Sequence, residues 1–132
     1  MFVDALINLY TNDIEAGIRF YRDLLGLEET FRTPCEGTPE HVEFRVGGST
    51  VALGTVEAAK RVHGVDATPG APAGVLVLWT DDVDAAYERL TSAGVPALNP
   101  PHDAGNSNRS ALLADPDGNL VEIVAKVARP AG

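Results

Sequence analysis

Apolar residues alternate with polar ones, or recur every three to four positions, in an order that divides the chain into short elements. Residues 2–10 (FVDALINLY) form a β-rich apolar run, and Thr11-Asn12-Asp13 precede IEAGIRFYRDLLG, a helix that either Asn12 or Asp13 can cap through its side-chain oxygen. Within that helix Ile14, Ile18, Tyr21, Leu24 and Leu25 make one buried face, and Gly26 stands where a C-terminal cap belongs. A strand is predicted at about 27–33. The turn-rich stretch 34–40 then leads into two strand-like runs, HVEFRV and STVALGTV, joined by Gly47-Gly48. Two glycines between such runs signal a tight hairpin, because the favoured two-residue turns need positive φ.

Residues 57–73 read as a joint that admits a short helical piece at EAAKR, followed by a Gly- and Pro-rich connector from Gly64 to Ala73. Beyond it the order repeats. GVLVLWT is a strand, DDVDAAYERLTSAG a capped helix ending in Gly94, and VPALNPP a short edge strand; after the polar loop HDAGNSN, the runs RSALLA and LVEIVAKV flank the turn Asp115-Pro116-Asp117-Gly118-Asn119. At an offset of 69, Asp13-Ile14-Glu15-Ala16 falls on Asp82-Val83-Asp84-Ala85, and at 70, Ala52-Leu53 falls on Glu122-Ile123. Both halves therefore read strand, helix, strand, strand, strand, which points to a duplicated unit.

Strand alternation assigns faces. Ile7 and Leu9 suit the helix-packing side, so Leu6, Asn8 and Tyr10 point the other way, and in the second half Val75, Val77 and Trp79 take that same side. A Gly47-Gly48 turn pairs Val46 with Ser49, Arg45 with Thr50 and Glu43 with Ala52, placing His41, Glu43, Arg45, Thr50, Ala52 and Gly54 on one face. On the last strand Leu120, Glu122 and Val124 share a face, joined by Ser110 and Leu112 across the turn. The resulting mixture of apolar walls and a few polar points is the makeup of a small-molecule pocket. Trp79 reads either as a ring on which a flat or cationic ligand stacks or as plain core. Arg45 with Glu43 reads as a substrate clamp or a structural pair, His41 as a base or a solvated rim residue, and Glu122 as an acid, base or acceptor, or a carboxylate paired with Arg45 or water.

Composition narrows the classes. A chain of 132 residues, 45% apolar and 22% charged, is one soluble domain able to bury a core without disulfides or a structural metal. Ten Lys and Arg against 19 Asp and Glu give a net charge of -9, the wrong sign for a phosphate-backbone binder. Neither nucleic acid nor an anionic membrane is an expected partner, whereas cationic small molecules are mildly favoured. The single thiol, Cys35, can form no internal disulfide and has no adjacent base, and the N-terminal apolar run lacks a basic flank; a reduced, cytoplasmic protein is expected. The longest uninterrupted apolar stretch, Gly74–Trp79, is far below the ~20 residues of a membrane helix. DPDGN lies between strands and lacks the alternating ligands of a calcium loop, and no helix or Lys follows Gly47-Gly48 to make a phosphate cradle.

Asp13 followed by GIRFYRDLLGL, the Gly47-Gly48 hairpin, VLWTDDVDAAYERLTSAGV, and Arg109 with LLADPDGNLVEI resemble the vicinal oxygen chelate superfamily, the glyoxalase, bleomycin-resistance and extradiol-dioxygenase group, over about residues 4–126. The resemblance implies an α+β fold of two βαβββ modules in tandem, about 1–57 and 73–128, whose mixed sheets curl around a concave cavity, and it implies a homodimer. Metal-dependent members line the cavity with His and Glu; carried over by position, those ligands fall on Leu6, Ala52, Val75 and Glu122, of which only Glu122 can bind a metal. A catalytic divalent ion needs about three protein ligands, so neither metal nor cofactor is expected. The expected ligand-contacting residues are Leu6, Asn8, Tyr10, His41, Glu43, Arg45, Ala52, Val75, Val77, Trp79, Ser110, Leu112 and Glu122. Two functions stay open: a metal-free protein that sequesters an amphiphilic or aromatic small molecule, and an atypical lyase, isomerase or oxygenase with Glu122 as acid or base.

Overall fold

The computed structural model describes residues 1, 3–71, 74–105 and 107–127, and the chain divides into two compact units, residues 1–71 and 72–132. The first unit carries β1 (Ile7–Thr11), α1 (Ile14–Ile18), β2 (Glu28–Thr33), β3 (His41–Val46), β4 (Ser49–Thr55) and α2 (Val56–His63). The second carries β5 (Val75–Trp79), α3 (Val83–Ser92), β6 (Ala97–Gly105), β7 (Asn108–Ala114) and β8 (Leu120–Lys126). Each unit holds a four-stranded mixed sheet, ordered β1-β4-β3-β2 in the first and β5-β8-β7-β6 in the second. The repeated element order of the sequence is thus a repeated topology, and the fold is α+β.

Both helices that follow a first strand start from an aspartate. Asp13 accepts from the Ala16 amide at 3.1 Å and Asp82 from the Ala85 amide at 3.0 Å, which relieves one orphan donor at each helix start. Asp13, not Asn12, is the cap. Beyond Ile18 the first helix widens into a π-helical stretch, Arg19–Leu24, rather than continuing as α to Leu25. Both Phe20 and Tyr21 are buried there, and Tyr21 stacks on Phe44 with ring centroids 5.8 Å apart. Gly17 lets α1 lie close on β4, since a Cβ at that position would come within 2.5 Å of Leu53 Cδ1.

One face of each sheet is covered by its helix. Ile14, Ile18, Tyr21, Val42, Phe44, Val51 and Leu53 form the core of the first unit; Val83, Leu90, Val95, Ala111, Leu113, Val121 and Ile123 form that of the second. The hairpin register is the one predicted, with Val46 opposite Ser49, Arg45 opposite Thr50 and Glu43 opposite Ala52, and Gly47 takes φ +57°. In the second unit Asp115 is buried at the head of the β7–β8 turn, where its Oδ1 accepts from the amides of Asp117 at 2.9 Å and Asn119 at 2.8 Å. Arg109 on β7 reaches α3 through paired hydrogen bonds to Asp84 of 2.7 and 2.8 Å.

Three elements differ from expectation. β1 begins at Ile7 rather than at residue 2, and Ile7 stays 66% exposed, because β1 is a sheet edge and α1 lies over β4. Leu6 therefore sits just ahead of the strand. The short helical piece at EAAKR is a two-turn helix, Val56–His63, capped by the Thr55 hydroxyl on the Ala58 amide at 3.2 Å and closed by Gly64 at φ +68°. β6 does not stop at the prolines but continues through the expected polar loop to Gly105. It pairs on one side only, with register shifts, and an edge strand of that kind tolerates prolines, which cannot donate to a ladder. Of the predicted connector and polar loop, Pro72, Ala73 and Asn106 lie outside the described residues.

Candidate functional site

The face of each sheet opposite α1 or α3 carries the residues singled out from the sequence, apart from Leu6, which lies ahead of β1. In the first unit the ladder aligns Asn8, Ala52 and Glu43 in one row across β1, β4 and β3, and Tyr10, Gly54 and His41 in the next. Within β3, His41 Nε2 lies 2.9 Å from a Glu43 carboxylate oxygen, and the Phe31 ring stands edge-on to the imidazole with centroids 6.3 Å apart. Glu43 thus engages His41, two residues before it, and not Arg45, which is exposed at the far end of the strand.

This face holds a cavity of about 330 Å³, lined by Asn8, Tyr10, His41 and Gly54 from the strands and by Ala58, Ala59, Val62 and His63 from α2. Thr33, Glu40 and Thr55 complete its wall. At the rim, the Arg61 guanidinium donates to Glu40 at 2.8 Å, and that hydrogen bond holds the Glu40 carboxyl below the usual carboxylate range. Sequence reasoning missed every contribution of α2. The signal was present in Thr55 as a cap, Gly64 as a stop, and Ala58, Ala59 and Val62 at helical spacing between them.

In the second unit the corresponding rows are Val77, Glu122 and Leu112, then Trp79, Val124 and Ser110, across β5, β8 and β7. Ser110, buried, donates its hydroxyl to Glu122 at 2.9 Å. Val75, Val77 and Trp79 stand 44%, 42% and 61% exposed, while the intervening Leu76 and Leu78 turn inward. Trp79 is therefore a surface ring and not core, with the Lys126 ammonium 5.4 Å from its centroid. Leu112 and Glu122 are half-buried beside this strip.

The thirteen residues expected to contact a ligand therefore fall into two groups, one per unit: Leu6, Asn8, Tyr10, His41, Glu43, Arg45 and Ala52 in the first, and Val75, Val77, Trp79, Ser110, Leu112 and Glu122 in the second. Chemically, the first group offers an imidazole oriented by a carboxylate, and the second an apolar strip beside a carboxylate oriented by a hydroxyl. Among the described residues no three His, Cys, Asp or Glu side chains gather to hold a metal ion. No helix among them is long and apolar enough to cross a membrane.

A family model described as Glyoxalase/Bleomycin resistance protein/Dioxygenase superfamily matches residues 5–123. The uncharacterized protein YraH of Bacillus subtilis is 33% identical over 122 residues, which cover 89% of this chain and 93% of that protein. CFP32 of Mycobacterium tuberculosis is 28% identical over 120 residues, and there the match spans 87% of this chain but only 42% of the relative. Among solved structures, a glyoxalase-related enzyme from Fulvimarina pelagi superposes with a TM-score of 0.76 at 30% identity, covering all of this chain and 94% of the other.

Proposed function

Because this chain belongs to the Glyoxalase/Bleomycin resistance protein/Dioxygenase superfamily, we propose that it binds a small amphiphilic or aromatic molecule on the open faces of its sheets, and does so without a divalent metal. The observation that carries this reading is the strip Val75, Val77 and Trp79, which leaves apolar surface open beside the Ser110–Glu122 hydrogen bond. Apolar walls with a few fixed polar groups are what orient a small ligand. Covering three such side chains contributes a few kcal/mol at roughly 25 cal/mol per Å² of apolar surface removed from water.

The metal-free part rests on the donor set. Of the positions that the resemblance assigns to metal ligands, Leu6, Ala52 and Val75 present hydrocarbon, and the one carboxylate, Glu122, already accepts from Ser110. One carboxylate does not fit a divalent ion that needs about three protein ligands. Native mass spectrometry before and after exposure to Zn²⁺, Ni²⁺, Mn²⁺ and Fe²⁺ tests this: apo protein throughout is expected, and one tightly held ion per chain would overturn it. The same spectra test the proposed homodimer, which a monomeric mass at micromolar concentration contradicts.

The Ser110–Glu122 pair favours a second reading, in which Glu122 is the acid or base of an atypical lyase, isomerase or oxygenase. Glu122→Gln separates the two. A binding protein keeps ligand affinity, followed through Trp79 fluorescence, within a few-fold; an enzyme keeps affinity and loses turnover of the ligand found by screening.

A further inference from the structure

Beneath α2, the cavity of the first unit presents acceptors and an amide along its described lining, and the Arg61 guanidinium at its rim is engaged by Glu40. Its lining includes neither Lys nor Arg, and the Glu43 carboxylate stands behind His41, so the interior disfavours an anion. A carboxylate can only accept; Glu43 therefore sets the proton of the neutral imidazole on Nε2, and the lone pair is left on Nδ1. Next to His41 in the ladder is Gly54, where a Cβ would come within 2.8 Å of the Asn8 amide nitrogen. Glycine at this position makes the room in which the Asn8 side chain lies, and that amide offers both a donor and an acceptor. Of the remaining walls, Tyr10 is an aromatic ring and Ala58, Ala59 and Val62 are aliphatic, while Thr33, Glu40, Thr55 and His63 add polar groups.

We propose that this cavity binds a neutral phenol of one or two rings, its hydroxyl donating to His41 Nδ1 and its oxygen accepting from the Asn8 amide, with the ring between Tyr10 and Val62. The proposal rests on the reading that the chain binds a small aromatic molecule, and adds to it the place and the chemical class. A volume of about 330 Å³ lies at the small end of ligand pockets, which sets the limit at two rings. A phenol gives its hydrogen to an acceptor and needs no counter-cation, whereas its methyl ether leaves Nδ1 unpartnered on desolvation. Glu43 is a positioning residue: it acts on the ligand only by fixing the tautomer and tilt of His41.

The test uses the whole chain, labelled with nitrogen-15, titrated with p-cresol and separately with its methyl ether. Long-range proton–nitrogen correlation spectra follow the imidazole nitrogens, and Trp79 fluorescence is recorded in parallel. The expected result is a shift of His41 Nδ1, with the phenol bound about ten-fold more tightly than the ether, the preference one buried hydrogen bond provides. His41→Phe should remove that preference, and Ala58→Phe, which fills the cavity from a helix surface, should weaken both compounds alike. The wild-type ratio needs no variant, so a misfolded His41→Phe leaves the test intact. Equal binding of phenol and ether, or shifts confined to His63 and His102, overturns the proposal. Trp79 quenching with no response at His41 also overturns it, while leaving the broader small-molecule reading in place.

Discussion

Removing the Asp115 carboxylate should loosen the second unit at the turn that aligns its candidate site. Asp115 is buried, and its two oxygens accept at least three hydrogen bonds, among them Oδ1 from the amides of Asp117 at 2.9 Å and Asn119 at 2.8 Å and Oδ2 from Asn119 Nδ2 at 2.9 Å. Each such bond contributes about 1 kcal/mol net, more when the acceptor is charged, and a stranded buried amide costs a further ~1 kcal/mol or more. Asp115→Ala loses both acceptor oxygens and these hydrogen bonds, so a destabilisation of about 3 kcal/mol is expected. Asp115→Asn keeps Oδ1 and its two amide bonds but turns an NH₂ toward Asn119 Nδ2, and should cost about 1 kcal/mol. Urea unfolding is the assay: with a slope of about 1.5 kcal/mol per molar for a chain of this size, the midpoint falls by about 2 M for Ala and under 1 M for Asn, at unchanged slope. Because β7 and β8 carry Ser110, Leu112 and Glu122, the Ala variant should also shift Trp79 emission before global unfolding. Equal losses for Ala and Asn would refute the hydrogen-bond account, since Asn keeps the two amide bonds to Oδ1 and Ala keeps none.

Gly17→Ala gains up to about 1 kcal/mol in helix propensity but drives a methyl into the buried Leu53, an overpacking of about 1–3 kcal/mol; a net loss is expected by thermal unfolding, and it should reverse to a gain in a Leu53→Ala background. The Arg32 hydrogen bond at 2.7 Å holds the Glu29 carboxyl below its usual range, assisted by Arg22. A carboxyl lowered in the folded state contributes stability that is full above pH 4.5 and lost as pH falls through the lowered folded value. Glu29→Gln should therefore cost about 0.5–1 kcal/mol at neutral pH and progressively less as pH falls below 4.5, read from urea midpoints across pH. Asp84, held low by the Arg109 hydrogen bonds, acts in the same direction. Lys126→Gln removes the cation above Trp79, so a neutral aromatic probe that must displace it should bind about 2–5-fold more tightly, measured by tryptophan quenching.

The element order, the helix caps and the β3–β4 register were legible because each depends on local chemistry: an aspartate ahead of an apolar stripe, a Gly-Gly turn, strict alternation. The faces followed from the register, which is why His41, Glu43 and Ala52 could be grouped in advance, and Ser110, Leu112 and Glu122 likewise. What the pattern did not carry was tertiary. The length of α2 was hidden by Lys60, Arg61 and His63, which look like connector until the buried Ala59 is seen beneath them. The continuation of β6 through Pro100 and Pro101 was hidden because proline opposes strand pairing everywhere except at an edge, and edge status is decided by the whole sheet. Hydrogen-bond partners of the polar residues were also out of reach: pairing Glu43 with Arg45 is as good on paper as pairing it with His41.

The faces opposite α1 and α3 use one arrangement with the carboxylate on different strands. Aligned through the helix caps Asp13 and Asp82, the row Asn8, Ala52, Glu43 corresponds to Val77, Glu122, Leu112, and His41 corresponds to Ser110. In both units one member of the paired central positions is a glutamate and the other is aliphatic: Glu43 opposite Ala52, Glu122 opposite Leu112. In both, the glutamate is hydrogen-bonded by the residue at the His41 or Ser110 position, along the strand in the first unit and across strands in the second. Moving the carboxylate changes its chemistry. On β3 it orients an imidazole, a group that can accept a proton, beneath a helix; on β8 it receives a hydroxyl proton and lies beside the apolar strip. The two units share a backbone frame and the pairing of one carboxylate with one hydrogen-bonding neighbour, while different residues at a few positions leave a hydrogen-bonding cavity in one and an apolar wall in the other.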